Sequence, residues 1–436
     1  MNPETRRHTR LTKRPMRIAL ISYEYPVDTP AGGIATYTRQ AAMLLHRRGH
    51  AVEVFAGSPE RDAVLEDDGV RVHLVREPSR HDFAVTAGHR FAARHAEAPF
   101  DVVEAPELYS ESRKILELAP GVPLVLRMHT PNLRIWKLSS VPRGWREIAA
   151  DLWGQLHSLP WYLKRGHRIP DLRLVSPGIA HAQQQDMIEN ACAAQADRVV
   201  ALFPGMGEFL TDVWRIPPER VVVLPNPFSP SPQLLEIPTG TCPDTVSFIG
   251  RLEVRKGILD WMKAIPMIAK RHPRARFRFV GAGSRLADGT DTADMLRASL
   301  GGFADRLEFT GAVPPDDIPR EFARTGVVVA PSRWENYPYA CLEAMAAGRA
   351  VVGSSAGGMA VMLEDGAGVL VPPGKPGQLA AAVSDLLANP GRQAQLGGKA
   401  RAKVLADHQP DEIGSRMERV YQEAIGHRRA LGPRAR

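Results

Sequence analysis

Residues 331–348 read Pro-Ser-Arg-Trp-Glu-Asn-Tyr-Pro-Tyr-Ala-Cys-Leu-Glu-Ala-Met-Ala-Ala-Gly, which sets Glu335 and Glu343 eight positions apart. The apolar run Val327 to Ala330 just before them predicts a strand, and Tyr339 to about Ala347 predicts a helix. Glu335 therefore ends a loop, and Glu343 lies in the helix that follows. Pro338 suits a first helical turn, because its missing N–H costs nothing there, and the free N–H groups of that turn form a natural anion site. A carboxylate can accept two hydroxyl hydrogen bonds at once, and vicinal hydroxyls occur on hexoses and on ribose alike. The alternative is an amphipathic helix preceded by an exposed loop acid. The flanking Pro-Ser, Tyr-Pro and Glu-Ala-Met-Ala-x-Gly context argues against it.

Outward from this stretch the same alternation continues. In the second half, strands are expected at Val246–Ile249, Phe277–Val280, Leu307–Thr310, Ala350–Gly353 and Gly368–Val371, with helices at Ile258–Arg271, Asp317–Arg324 and Pro376–Leu387. In the first half, apolar runs at Arg17–Tyr23, Ala51–Phe55, Val70–Val75, Asp101–Glu104, Pro123–Met128 and Arg198–Leu202 frame a periodic segment, Ile34–Arg48. Such alternation implies parallel sheets with covering helices. At 436 residues the chain is too long for one ordinary core. The expected division is a basic tail over 1–15, read as disordered, and a first domain over 16–215 with a helical insertion at about 131–188. A second domain over 216–410 follows a Pro-rich linker at about 216–245, and a helix over 411–428 packs back on the first domain.

Lys and Arg number 56 against 48 Asp and Glu, a net charge of +8 that favours anionic partners. Hydrophobic residues at 44% and charged residues at 24% exclude a disordered or fibrous class. The three cysteines, Cys192, Cys242 and Cys341, form no CxxC pair, so a reducing, cytoplasmic setting is expected. No stretch approaches the ~20 apolar residues that span a bilayer, which leaves only peripheral membrane contact. The insertion carries Trp136, Trp145, Trp153, Trp161 and Tyr162 among Lys137, Arg143, Arg146, Lys164, Arg165 and Arg168. It reads either as an acceptor pocket or patch facing anionic lipid, or as a subdomain burying its indoles.

A second constellation is Phe248-Ile-Gly250-Arg251-Leu-Glu-Val-Arg-Lys256-Gly257, a glycine-turned loop after a strand, with cations at 251 and 256. Arg offers a planar fork and Lys a point charge for a departing diphosphate. The alternative is a solvated basic turn. In the first half, Pro30-Ala-Gly32-Gly33-Ile34 lets backbone N–H groups approach an anion, and His129 should emerge at the carboxyl edge of its strand, where open sheets bind ligands. Each has an ordinary structural alternative, a tight turn or a satisfied histidine.

Together these segments resemble glycosyltransferase family 4, a retaining group of GT-B fold, across about residues 16–425. Its E-x7-E motif matches Glu335 to Glu343, and its Gly-Arg-Leu to Lys-Gly stretch matches Gly250 to Gly257. The resemblance implies two Rossmann-like domains facing across a cleft, with Glu335 addressing the donor sugar and Glu343 the nucleotide ribose. It further implies that Arg251 and Lys256 grip the diphosphate, that His129 lies near the reacting carbon, and that Gly33, Asn336, Tyr337 and Gly281 belong to the donor site, with Gly357-Gly358 near the sugar. No Asp-x-Asp triplet occurs in the chain, so transfer without metal or other cofactor is expected, from a UDP- or GDP-linked sugar to an acceptor that is a small molecule, a glycan or a lipid-linked molecule. Two departures fall in the interdomain region. The family's Pro-Asn-Gly is Pro225-Asn226-Pro227 here, and its serine after the preceding strand is Phe203 or Pro204. Competing readings are a glycoside phosphorylase or nucleotide-sugar epimerase on the same architecture, and a noncatalytic nucleotide or nucleic-acid binder. Against nucleic acid, aromatic residues at sheet positions are absent.

Overall fold

A computed structural model describes residues 14–29, 32–139, 153, 179–286 and 288–434. Most of the basic tail, Pro30-Ala31 and the insertion's Trp145, Trp161 and neighbouring cations lie outside the described residues.

The first half runs β1 (Arg17–Ser22), α1 (Gly33–Arg47), β2 (Ala51–Ser58), β3 (Ala63–Asp67), β4 (Val70–Arg76), α2 (Arg80–Glu97), β5 (Val102–Pro106), α3 (Arg113–Leu118) and β6 (Leu124–Arg127). It continues through α4 (Asn132–Ser139), α5 (Ile179–Ala193), β7 (Arg198–Ala201), α6 (Pro204–Asp212) and β8 (Val221–Val223). Its strands form one sheet in the order β3-β4-β2-β1-β5-β6-β7-β8. All neighbours are parallel except β3 with β4. The expected boundary at 215/216 needs correction, because Val199 to Ala201 of β7 pair with Val221 to Val223. The first eight residues of the presumed linker, 216–223, thereby belong with the first sheet, which ends at β8.

After α7 (Pro232–Leu235), the second half runs β9 (Thr245–Ile249), α8 (Ile258–Arg271), β10 (Arg276–Val280), α9 (Thr292–Ser299), β11 (Leu307–Gly311), α10 (Ile318–Ala323), β12 (Val327–Ala330), α11 (Tyr339–Ala346), β13 (Ala350–Ser354), α12 (Gly358–Leu363), β14 (Val369–Val371) and α13 (Pro376–Ala388). Its all-parallel order is β11-β10-β9-β12-β13-β14. Two long helices close the chain, α14 (Pro390–Asp407) and α15 (Pro410–Leu431).

Local sequence explains these elements. Val327-Val-Val is buried on both faces, as a central parallel strand must be. In α8 the buried residues Ile258, Trp261, Ala264, Ile265, Ile268 and Ala269 fall on one stripe. Each fully buried Leu, Ile or Phe of this kind contributes roughly 1.5–3 kcal/mol relative to exposure.

Strand order reverses between β1 and β5 in the first sheet and between β9 and β12 in the second. Crevices at such reversals, outside the carboxyl ends of the strands, are where open α/β sheets receive ligands. The loop after β9 carries Arg251, Arg255 and Lys256, and the loop after β12 carries Glu335. The fold thus delivers both sequence motifs to one crevice.

The halves share apolar packing. One core cluster joins Leu20, Tyr37 and Val54 of the first half to Val328, Tyr339 and Leu342 of the second, and includes Ile413, Met417, Val420 and Tyr421 of α15. α15 also fastens to the first half through polar contacts: Arg48 and His50 meet Glu418, the Tyr421 hydroxyl donates to Glu104, and Arg428 meets buried Asp197.

Candidate active site

Two close backbone approaches bring the cation loop against the carboxylate loop. A Cβ on Gly257, whose φ is +77°, would stand 1.9 Å from the Pro331 carbonyl oxygen, so only glycine fits there. Beside it, the Arg333 N–H donates to the Arg255 carbonyl at 2.8 Å. Lys256, Ser332, Glu335, Pro338, Ala340 and Cys341 consequently line one pocket of ≈ 360 Å³, open mouth included.

The Glu335 carboxylate is buried and held at both oxygens. Arg255 Nη1 lies 3.1 Å from Oε2, while the Ser332 hydroxyl donates to Oε1 at 3.2 Å and Lys256 Nζ stands 3.8 Å from it. Burial pushes its pKa up, but Arg255, Lys256 and Ser332 together hold it below the usual carboxylate range. Glu335 is therefore a fixed, charged acceptor. Glu343 differs: its carboxylate makes no hydrogen bond or ion pair among the described residues, and burial, only partly opposed by Lys256, pushes it up to about 7. The two motif glutamates thus share one lysine while their pKa values are pushed in opposite directions.

The N-terminus of α11 opens into the same pocket. Pro338 is its N-cap, not a first-turn residue as expected, with extended ψ of 123° and no side-chain cap. The first N–H groups of α11 remain available to an anion, the property the sequence argument needed.

Other expected residues fall differently. Arg251 is 70% exposed and pairs with Glu253 at 3.0 Å, so the cation that actually reaches Glu335 beside Lys256 is Arg255. Tyr337 turns away from the pocket and shares a 3.0 Å hydrogen bond with His408. Asn336 spans the cleft instead: its amide donates to the Met128 carbonyl at 2.9 Å and to the His129 carbonyl. Gly281, with φ +142°, packs so tightly beneath the cation loop that a Cβ would lie 2.2 Å from the Gly250 carbonyl oxygen. Gly357 bridges to Glu335, and the Gly358 N–H donates to the Glu335 carbonyl at 3.0 Å, so both support that loop from below.

Across the cleft, Gly33 is exposed and begins α1, whose N-cap Gly32 supplies no side-chain cap. His129 follows β6 directly and is buried. Its N–H donates to Glu107 at 2.7 Å, and its ring meets the Tyr37 ring at 5.2 Å. Burial, then Arg127 and Arg80, push its pKa down to about 3, so the imidazole is neutral at physiological pH. Glu107 is itself pushed up to about 7 by burial, against several backbone N–H donors. The departure at Phe203 also has a place here, since its ring packs 6.2 Å from Trp334, which is capped by the Arg134 guanidinium at 4.4 Å.

Sequence reading missed Arg255, Ser332, Glu107 and Trp334. Arg255 and Ser332 stood within the quoted motifs, but a loop spacing does not reveal which side chain turns inward. Glu107 had no motif at all.

Known proteins resemble this chain over most of its length. A profile described as glycosyl transferase 4-like domain matches residues 32–227, and one described as glycosyl transferases group 1 matches residues 243–389. The chain is 27% identical to the D-inositol 3-phosphate glycosyltransferase of Acidothermus cellulolyticus, over 95% of this chain and 92% of that one. It is 25% identical to the glycogen synthase of Mycobacterium tuberculosis, over 96% and 97%. Among solved structures it is similar to sucrose-phosphate synthase from Thermosynechococcus elongatus, with TM-score 0.69, 21% identity and coverage of 94% and 99%. It is also similar to Anabaena HepE in complex with UDP and glucose, with TM-score 0.65, 18% identity and coverage of 93% and 99%.

Proposed function

Because the chain belongs to the group 1 glycosyl transferases of family 4 and has their GT-B fold, we propose that it moves a hexose-type sugar from a nucleotide donor to an acceptor hydroxyl with retention, and without a metal ion. The observation that carries this is the single pocket lined by Lys256, Glu335 and the start of α11, with unpaired Glu343 within electrostatic reach of Lys256. A nucleotide sugar has the complementary parts in the same order: sugar hydroxyls for Glu335, a diphosphate for Lys256 and the α11 N–H groups, and ribose hydroxyls for Glu343. That the related HepE was solved with UDP and glucose supports a donor of this class.

In the step proposed, the bond from the anomeric carbon to the diphosphate oxygen breaks as charge develops on the leaving phosphate. Lys256 and the helix N–H groups stabilise that charge. An acceptor hydroxyl attacks from the same face of an oxocarbenium-like sugar, and its proton passes to the departing phosphate, so no enzymic nucleophile is needed. Neutral His129, buried at the end of β6, offers a hydrogen bond on the first-half side of the cleft, where the acceptor would enter from the crevice between β1 and β5.

A thermal-shift panel of UDP, GDP, ADP and TDP sugars should raise the midpoint for the true donor, since a ligand binding only the folded state stabilises it. With that donor, free nucleoside diphosphate should appear only when acceptor is added. Glu335→Ala should lower turnover about 10- to 100-fold, the worth of charged hydrogen bonds to the sugar, in a folded protein. Full activity of folded Glu335→Ala would reject this assignment.

A further inference from the structure

Five charged side chains alternate across the two loops: Arg251, Glu253, Arg255, Glu335 and Lys256. Glu253 accepts Arg251 on Oε1 at 3.0 Å and Arg255 Nη2 on Oε2 at 3.2 Å, while Arg255 Nη1 reaches Glu335 at 3.1 Å. Both outer nitrogens of Arg255 are thus committed to carboxylates, and its side chain is only 11% exposed. Arg255 approaches Glu335 from outside the pocket that Lys256 and Glu335 line, and it is not itself among the lining residues. Lys256, 3.8 Å from Glu335 and contacting it loosely, keeps donor capacity for a diphosphate.

We propose that Arg255 is a positioning residue that fixes the Glu335 carboxylate to read the donor's sugar, and that it takes no part in holding the diphosphate. With one prong of its planar fork anchored on Glu253, Arg255 aims the other at a single oxygen of Glu335, a directed contact that a point charge cannot make. The backbone bond from Arg333 to the Arg255 carbonyl keeps the two loops in register while this contact forms. Arg255 also favours the charged state of Glu335, the state that accepts hydroxyl hydrogen bonds without donating any. This assignment rests on the proposal that Glu335 faces the donor sugar.

The test compares full-length wild type with Arg255→Met and Arg255→Lys by calorimetry and steady-state kinetics. The probes are the nucleotide sugar that most stabilises wild type and its parent nucleoside diphosphate. For Arg255→Met, Kd for the nucleotide sugar should rise at least about 10-fold, with the nucleoside diphosphate unchanged within about twofold. Ten-fold corresponds to the loss of one well-placed hydrogen bond. The acid limb of kcat/KM should move to higher pH, because Glu335 loses the cation that lowers its pKa. Arg255→Lys should keep the acid limb near its wild-type position yet still weaken the nucleotide sugar, since charge is retained and the fork is lost. It also carries the test if Arg255→Met fails to fold. Equal weakening of nucleotide sugar and nucleoside diphosphate would overturn the proposal in favour of a phosphate contact, and unchanged values for both would overturn it outright. If wild type binds the nucleoside diphosphate but no nucleotide sugar, it is the donor reading, not the role of Arg255, that fails.

Discussion

Glu335 and Glu343 belong to one motif, yet burial acts on them with opposite outcomes. Glu335 has Arg255, Ser332 and Lys256 to offset the cost, whereas Glu343 has only distant help from Lys256 and is pushed up to about 7. A carboxyl whose folded pKa is raised stabilises the fold fully below its unfolded pKa of about 4.3, and this contribution is lost as pH rises through about 7. Glu343→Gln removes that loss. The variant's melting midpoint should exceed wild type by a few degrees at pH 8, with the difference shrinking as pH falls and vanishing only below about pH 4. Glu107 and Glu111, also raised to about 7, leave their own pH dependence in both proteins, so the difference between the two curves is the measurement. The same substitution should weaken nucleotide binding, as expected where a destabilising group is retained for function. A variant equally stable at pH 8 would show that Glu343 is solvated and pays no burial cost.

Loops at the strand-order reversals are held by elements packed too closely for side chains. Gly281 ends β10 with φ +142° under the Gly250 carbonyl, and Gly250 opens the cation loop. Gly281→Ala forces a Cβ against that oxygen in a strained conformation, so it should destabilise by about 2 kcal/mol or more and displace the cation loop. Denaturant unfolding should show an earlier transition, together with weaker nucleoside diphosphate binding. Unchanged stability would mean the turn relaxes freely. These elements were largely legible in sequence. The expected helix Ile258–Arg271 matches α8, and the expected strand Val327–Ala330 matches β12, because long amphipathic stripes and doubly buried valine runs write their burial into the chain. β3 left no such signal: it is an edge strand whose Val64 is exposed, and it is ordered by its pairing with β4. β8 spans only Val221–Val223 within a Pro-rich stretch, too short for periodicity to register, so it was read as linker. Arg251 and Arg255 were indistinguishable for a related reason. Strand and helix periods fix the direction of side chains, but a loop's direction is set by tertiary contacts such as Gly257 against Pro331.

At the scale of the whole molecule, the site is assembled by two halves whose contacts run through its own residues. Asn336 sits beside Glu335 in the second half, yet its amide is spent on the Met128 and His129 carbonyls at the end of β6. Asn336 therefore ties the Glu335 loop directly to the end of β6 beside His129. The halves do not depend on it for attachment, since Arg333 donates to the Leu138 carbonyl, Tyr339 to the Pro227 carbonyl, and α15 clasps the first half. Asn336→Ala should accordingly leave the protein joined and folded while loosening the alignment of donor against acceptor. The two lost hydrogen bonds are worth about 1 kcal/mol each, so kcat should fall about 5- to 30-fold. Nucleoside diphosphate binding, proposed to rest on Lys256 and the start of α11, should stay within about twofold of wild type. Calorimetry alongside steady-state kinetics separates the two effects. A matching loss in nucleoside diphosphate affinity would place Asn336 on the nucleotide and remove its role between the halves.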